Sequence, residues 1–178
     1  APEGAKLSYE ATIPADGIAD HPSFAVLQDA SAALATIGFE MKVNDLSDSA
    51  ILWEMLDAST AEIWCAAWGS TIDPDMYQVY HSSGVVGEGG SDSNHYHIRD
   101  NELDSLILAA RESDDQSYRK SVYKDCLDII IDWAVEVPVY QRQNCIIFST
   151  ERVNIDTLTP DITTFWGWMN DIELLEMR

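Results

Sequence analysis

Asp73-Pro74-Asp75 sets two carboxylates close together behind an apolar run, and paired carboxylates can serve as acid and base. The same segment also reads as punctuation, with Asp73 placed to turn the chain or cap a helix that begins near Pro74. His95 and His97 share a face if their segment is extended, and two imidazoles can begin a metal site. No third ligand stands at a diagnostic spacing, so the two are expected to be exposed loop histidines, and His21 and His81 are isolated. No G-x-S-x-G nucleophile motif occurs. Gly84, Gly87, Gly89 and Gly90 lack the Lys-Ser/Thr that lets a glycine-rich loop cradle phosphate. Cys65, Cys126 and Cys145 form no C-x-x-C pair, and each sits among apolar neighbours as a small hydrophobe would. These residues therefore point to no catalytic group, metal or cofactor.

The aromatic residues are more informative. Trp64, Trp68, Trp133, Trp166 and Trp168 are many for one domain, and tryptophan favours the half-buried walls of clefts. Most are expected to pack. Trp68 is singled out because it closes an apolar run beside Gly69 and Ser70, where backbone groups can approach a ligand.

The elements that must position it follow from periodicity. Leu7, Tyr9, Ala11 and Ile13 alternate as a strand that stops at Pro14. Pro22 suits the first turn of a helix with Phe24, Leu27, Leu34 and Ile37 on one face, and Gly38 suits its left-handed cap. Phe39, Met41 and Val43 alternate as a second strand, and Ser47 or Asp48 can cap a helix carrying Ile51, Leu52, Met55 and Leu56. Ile63 to Trp68 reads as a third strand. This alternation is the pattern of βαβ units, an α/β layer built on a mainly parallel sheet, whose ligands gather beyond the carboxyl ends of the strands.

Residues 82–97 are a Gly/Ser/Asp/Asn-rich surface loop. One helix follows on Leu103, Leu106, Ile107 and Ala110. Ser113-Asp114-Asp115-Gln116 makes a capping box for another, with Tyr118, Val122, Leu127, Ile130 and Trp133 inside. Val135, Val137 and Val139, then Cys145 to Phe148, read as extended chain. From Arg152 the sequence is less regular, with Phe165, Trp166, Trp168 and Met169 close together.

The 178 residues, 46% apolar, suffice for one sizeable core. Lys and Arg number 10 against 31 acidic residues, a formal charge of -21. Nucleic acid and anionic membrane are thereby disfavoured as partners, since both are bound by cationic side chains. The acidic residues are spread along the chain, as on a solvated surface that aids solubility. No charged-then-apolar leader precedes Ala1-Pro2-Glu3 and no initiating Met is present, so the chain is expected to be a soluble, mature or excised piece.

The order of elements resembles the large C-terminal lobe of family 5 bacterial solute-binding proteins, which serve oligopeptide, dipeptide and nickel ABC importers. Four anchors carry the resemblance: Ala35 to Val43, Ala67-Trp68-Gly69-Ser70-Thr71-Ile72-Asp73-Pro74, Asn101 to Ile107, and Tyr118-Arg119-Lys120 through Asp132 to Val137-Pro138-Val139-Tyr140. The resemblance implies one lobe of a type II periplasmic-binding-protein-like fold, a binder and not an enzyme. Residues 1–151 would be the lobe, and residues 152–178 a tail that packs on the other lobe or folds back. It implies capture of an oligopeptide or peptide-like solute by closure against an N-terminal lobe absent from this chain, and delivery to ABC permease subunits. The location would be the outer face of a bacterial cell membrane, to which the protein is tethered, or the periplasm.

Trp68, Gly69, Ser70, Thr71, Asp73, Tyr140 and Arg142 fall on segments that line the cleft in that family. Where peptide-binding members carry an aspartate for the peptide α-ammonium, this chain has Thr71, so either Asp73 takes the task or the ligand lacks that charge. Arg142 can pair with a ligand carboxylate or be a solvated surface residue. Nickel, sugars and modified peptides stay open as solutes, and a hydrolase or a structural interaction domain on an α/β layer remains the alternative to a binder.

Overall fold

A computed structural model describes residues 4, 7–69, 71–141, 143 and 145–178. The chain divides into two compact units, Ala1–Val137 and Pro138–Arg178.

In the first unit β1 (Leu7–Ile13), α1 (Pro22–Ala35), β2 (Phe39–Asp45), α2 (Ser49–Asp57) and β3 (Ile63–Trp64) follow in order. The three strands form a parallel sheet in the order β2-β1-β3, with Leu7 opposite Phe39 and Thr12 opposite Trp64. The third strand is shorter than its apolar run suggests. Beyond Trp64, the Cys65 amide still donates to the Thr12 carbonyl at 2.9 Å. The next position on β1 is Pro14, which has no N–H to give, and the Ala15 amide is already donated to Asp45 Oδ1 at 2.9 Å. Ala66 to Trp68 therefore leave the sheet.

Both early helices start where side chains can accept their free amides. Asp48 accepts from the Ala50 amide at 2.8 Å, and His21 Nδ1 accepts from Ser23 at 3.1 Å. Phe24, Leu27 and Leu34 of α1 are half-buried, whereas Ile37 is 77% exposed, because it lies past the end of the helix and off its stripe. The Asp45 carboxylate gathers the amides of Ala15, Gly17 and Ala19 at 2.8–3.1 Å. It thereby holds a turn in which Asp16, Gly17 and Ala19 all have positive φ.

The largest buried cluster joins Ile98, Leu103, Ile107 and Ala110 to Val122, Cys126 and Ile130, across α4 (Asn101–Arg111) and α5 (Gln116–Trp133). Asp100 and Asp115 cap these helices. The buried stripe of α5 is Arg119, Val122, Cys126 and Ile130. Tyr118, Leu127 and Trp133, expected inside, are 41–47% exposed. The strict i, i+3, i+7, i+11 spacing selects a polar residue and a thiol over larger apolar neighbours.

Residues 82–97 are less of a surface loop than their composition suggests. After a short helix α3 (Tyr77–Tyr80), Val85, Asn94 and Ile98 are fully buried. Asn94 Nδ2 lies 3.0–3.3 Å from the carbonyls of Tyr80, His81 and Ile98, and its Oδ1 accepts from the Ile98 amide. The loop closes so tightly that a Cβ on Gly90 would stand 1.6 Å from the Ser83 carbonyl oxygen.

In the second unit the expected extended run at 145–148 makes no strand ladder among the described residues, and neither does Val135 to Val139, which straddles the boundary. An antiparallel bridge between Val153 and Met177, flanked by Asn154 N–H to Glu176 C=O at 2.9 Å, ties this unit together. Trp168 packs edge-on against Phe148 at 5.8 Å, while Phe165, Trp166 and Met169 stay 43–61% exposed. No described helix is long and apolar enough to cross a membrane.

Candidate functional site

Once it leaves the sheet, the chain carries Trp68 onto an aromatic cluster drawn from three elements. Trp53 comes from α2, Trp64 from β3, and His95 and Tyr96 from the loop that Asn94 holds. The Trp68 ring lies nearly parallel to His95 (6.2 Å, 15°) and at an angle to Trp53 (6.0 Å, 63°), and its Nε1 donates to Tyr96 Oη at 3.4 Å. Trp64 stands edge-on to His95 at 6.3 Å and stacks on Tyr96 at 5.3 Å. Tyr80 stacks on the far face of the group against Tyr96 at 5.7 Å and donates to Glu136 Oε2 at 2.8 Å.

His95 thus corrects the expectation of an exposed loop histidine. It is only 9% exposed, and its Nδ1 has no hydrogen-bond partner. Burial against the indoles pushes its pKa below 6.5, more than Asp57, Asp92 and the Leu56 carbonyl raise it, so the ring is held neutral. Burial likewise pushes Tyr96 up to about 12, and burial with the Glu136 hydrogen bond raises Tyr80. His97, by contrast, is half-buried, with Nε2 3.1 Å from Ser59 Oγ.

Trp53 was missed in the sequence because it flanks the α2 stripe of Leu52 and Leu56 instead of lying on it. Trp53 and Trp68 are each 39% exposed, so together they form an open indole corner with His95 behind it. A Cβ added at Gly69 would meet nothing within 4 Å, so the backbone beside Trp68 is free to be approached.

Thr71 and Asp73 stay exposed but are held by bonds within the protein. The Thr71 hydroxyl donates to the Asp73 carbonyl at 2.6 Å. Both Asp73 carboxylate oxygens are taken by Arg119, at 2.7 and 2.9 Å, and Arg119 also donates to the Pro74 carbonyl at 2.8 Å. The guanidinium holds the Asp73 carboxyl below its usual value, and the carboxylate in turn raises Arg119. Asp73 does not cap α3, whose N-cap position is Met76; Asp75 lies just before it, with Oδ1 accepting from the Tyr77 amide at 3.0 Å and Oδ2 paired with Arg111 at 3.3 Å. These two carboxylates are thus committed to separate cations. Tyr140, in the second unit, is 52% exposed. Ser70 and Arg142 lie outside the described residues.

One grouping has the residue types of a nucleophilic triad. Ser83 Oγ lies 2.8 Å from His81 Nδ1, and Asp104 lies 3.9 Å from that same nitrogen. A relay needs serine and aspartate on opposite ring nitrogens, so the geometry is not that of a triad. His81 Nδ1 instead accepts from the Ser83 amide at 3.1 Å, and Asp104 binds the amide and hydroxyl of Ser82.

Two open concavities lie away from Trp68. One of about 220 Å³ is lined by Ser31, Ala35 and Met41, and another of about 470 Å³ by Asp100, Ile129 and Trp133.

No protein-family model and no curated protein matches the sequence. Solved structures do. NikZ from Campylobacter jejuni in complex with Ni(L-His) is similar over 72% of this chain and 25% of its own, at 23% identity and TM-score 0.60. The oligopeptide-binding protein AppA from Bacillus subtilis in complex with a nonapeptide follows over 75% and 25%, at 20% identity and TM-score 0.60. The chain has the fold of one part of such a binding protein. A third example of this binding-protein fold, the ABC transporter-associated periplasmic binding protein DppA from Helicobacter pylori in complex with the peptide STSA, is similar over 73% and 24%, at 20% identity and TM-score 0.59. The chain spans about a quarter of the length of these proteins.

Proposed function

We propose that the chain is the C-terminal lobe of a solute-binding component of an ABC importer, which captures an oligopeptide or peptide-like solute by closing against an N-terminal lobe. The observation that carries this reading is the shared fold with three transport binding proteins, each matched over about a quarter of its chain. Large exposed apolar side chains in the first unit, among them Leu7 (51%), Ile72 (82%) and Ile131 (69%), support it, since a self-sufficient domain would cover more of them. The first unit would supply Trp68, Gly69, Ser70, Thr71 and Asp73 to the cleft, and the second unit Tyr140 and Arg142. Residues 152–178 would pack on the other lobe or fold back.

Because Asp73 is already neutralised by Arg119, a peptide α-ammonium gains little from it, and the solute is better held by backbone and side-chain contacts. The work done is binding and lobe closure, at the outer face of a bacterial membrane or in the periplasm, with permease subunits as partners. Mass spectrometry of small molecules that co-purify with the two-lobed protein tests the reading. Peptide or peptide-like masses are expected. A preparation that carries none and takes up none from a peptide pool overturns it.

A further inference from the structure

Within the first unit, the rings of Trp53 and Trp68 meet at 63° and 6.0 Å, each residue is 39% exposed, and no cation–π pair among the described residues involves either. The cation–π pairs among the described residues lie elsewhere, Arg111 over Tyr77 and Arg119 over Tyr123. Asp57 follows Trp53 one helical turn later on α2, hence on the same face, and it is exposed. Behind the corner, His95 is more than nine-tenths buried with its Nδ1 unpartnered.

We infer that the Trp53–Trp68 corner, with Asp57 at its edge and His95 behind it, is a subsite for a cationic group, the ammonium or guanidinium of a solute side chain.

Indole faces attract a cation through their quadrupole, tryptophan most strongly of the aromatic side chains. A carboxylate one turn away adds a Coulombic partner at the rim, where it stays solvated until a ligand arrives. His95 contributes by being neutral. A protonated ring at that place would repel an incoming cation, and packing against three indoles disfavours the protonated form. The groups facing His95 are Asp57 from α2, Asp92 and His97 from its own loop, and the Leu56 carbonyl, so the corner is net acidic. The formal charge of -21 draws cations toward the chain as a whole.

This inference rests on the solute-binding reading and narrows it to peptides or peptide-like molecules with a basic side chain. The Asp73–Arg119 pair fits the same picture, because Asp73 is already paired, whereas no ion pair among the described residues involves Asp57.

The test is a nitrogen-15 NMR titration of this chain with acetyl-Ala-Lys-Ala-amide and with the same peptide carrying norleucine for lysine, at millimolar concentrations. The indole N–H signals of Trp53 and Trp68 should shift with the lysine peptide, while those of Trp133, Trp166 and Trp168 stay still. The lysine peptide should bind roughly 3- to 10-fold more tightly than the norleucine one. Asp57→Asn should erase about half of that preference on a logarithmic scale, and Trp53→Leu nearly all of it. Equal shifts from both peptides would overturn the cation subsite and leave the solute-binding reading intact. No shift at either indole also overturns the subsite, and the two-lobed protein's own ligand content then decides the broader reading separately.

Discussion

Replacing Asn94 by Ala should destabilise the first unit by about 3–5 kcal/mol, and the structure shows where that figure comes from. The side chain is fully buried. Its Nδ2 has two hydrogens to satisfy carbonyls among Tyr80, His81 and Ile98, and its Oδ1 takes the Ile98 amide. The His81 carbonyl keeps a partner in the Gly84 amide at 3.0 Å, but nothing else described bonds the Tyr80 carbonyl or either backbone group of Ile98. Three bonds are therefore lost with their groups still buried, at roughly 1 kcal/mol or more each, and the vacated volume adds to the cost. Urea unfolding followed by both circular dichroism and tryptophan fluorescence measures it, with an unchanged slope expected if only stability moves. Asn94→Asp should be at least as damaging, because it keeps the acceptor, removes the donors and buries a charge. A loss below about 1 kcal/mol for Asn94→Ala would refute the reasoning, since it would mean that water or relaxation replaces every lost partner.

Other outcomes follow from the same packing. His95 has a depressed pKa, so the unfolded chain binds the proton more readily than the folded one; its share of stability is whole above pH 6.5 and is lost as pH falls below that value. Melting temperatures between pH 7.5 and 5 should show this fall, and His95→Phe should flatten it. Arg119→Met should loosen residues 71–76, read as faster hydrogen exchange there, and Arg119→Lys should rescue little because an ammonium cannot span both Asp73 oxygens and the Pro74 carbonyl. Gly90→Ala should disrupt the loop far more than Gly87→Ala. The first drives a methyl into the Ser83 carbonyl, whereas the second meets open space and costs about 1 kcal/mol for its positive φ, a contrast that parallel urea titrations would register.

The layer order was legible because alternation and helical spacing are strong from Leu7 to Leu56, and the stop at Pro14 marks both the end of β1 and, less obviously, the early end of β3. That second consequence needs the register, which pairs Thr12 with Trp64 and so puts Pro14 where β3 would next need a donor. The α5 face departs from expectation at Leu127 and Tyr118 because spacing, and not apolar size, decides which of its side chains are buried. Cys126 and Arg119 hold the buried positions, and Arg119 can do so only because Asp73 arrives from a distant loop to pair with it.

The candidate site was half visible. Trp68 stood out by its place after a strand, but His95 lies in a segment whose glycines and serines suggested solvent. What buries it is Asn94, whose amide replaces the missing regular structure, together with three indoles from elsewhere in the chain. A side chain that organises three carbonyls at once leaves no periodic signature.

The central proposal, one wall of a two-walled clamp, is tested most directly by calorimetric titration of one oligopeptide pool into this chain and, side by side, into the two-lobed protein. A single wall cannot desolvate a ligand as a closed cleft does, so the two-lobed protein should bind with a Kd of about 10 µM or tighter and this chain no better than about 1 mM, a difference of roughly 2.7 kcal/mol or more. Sub-micromolar binding by this chain alone, or none by the two-lobed protein, would contradict it.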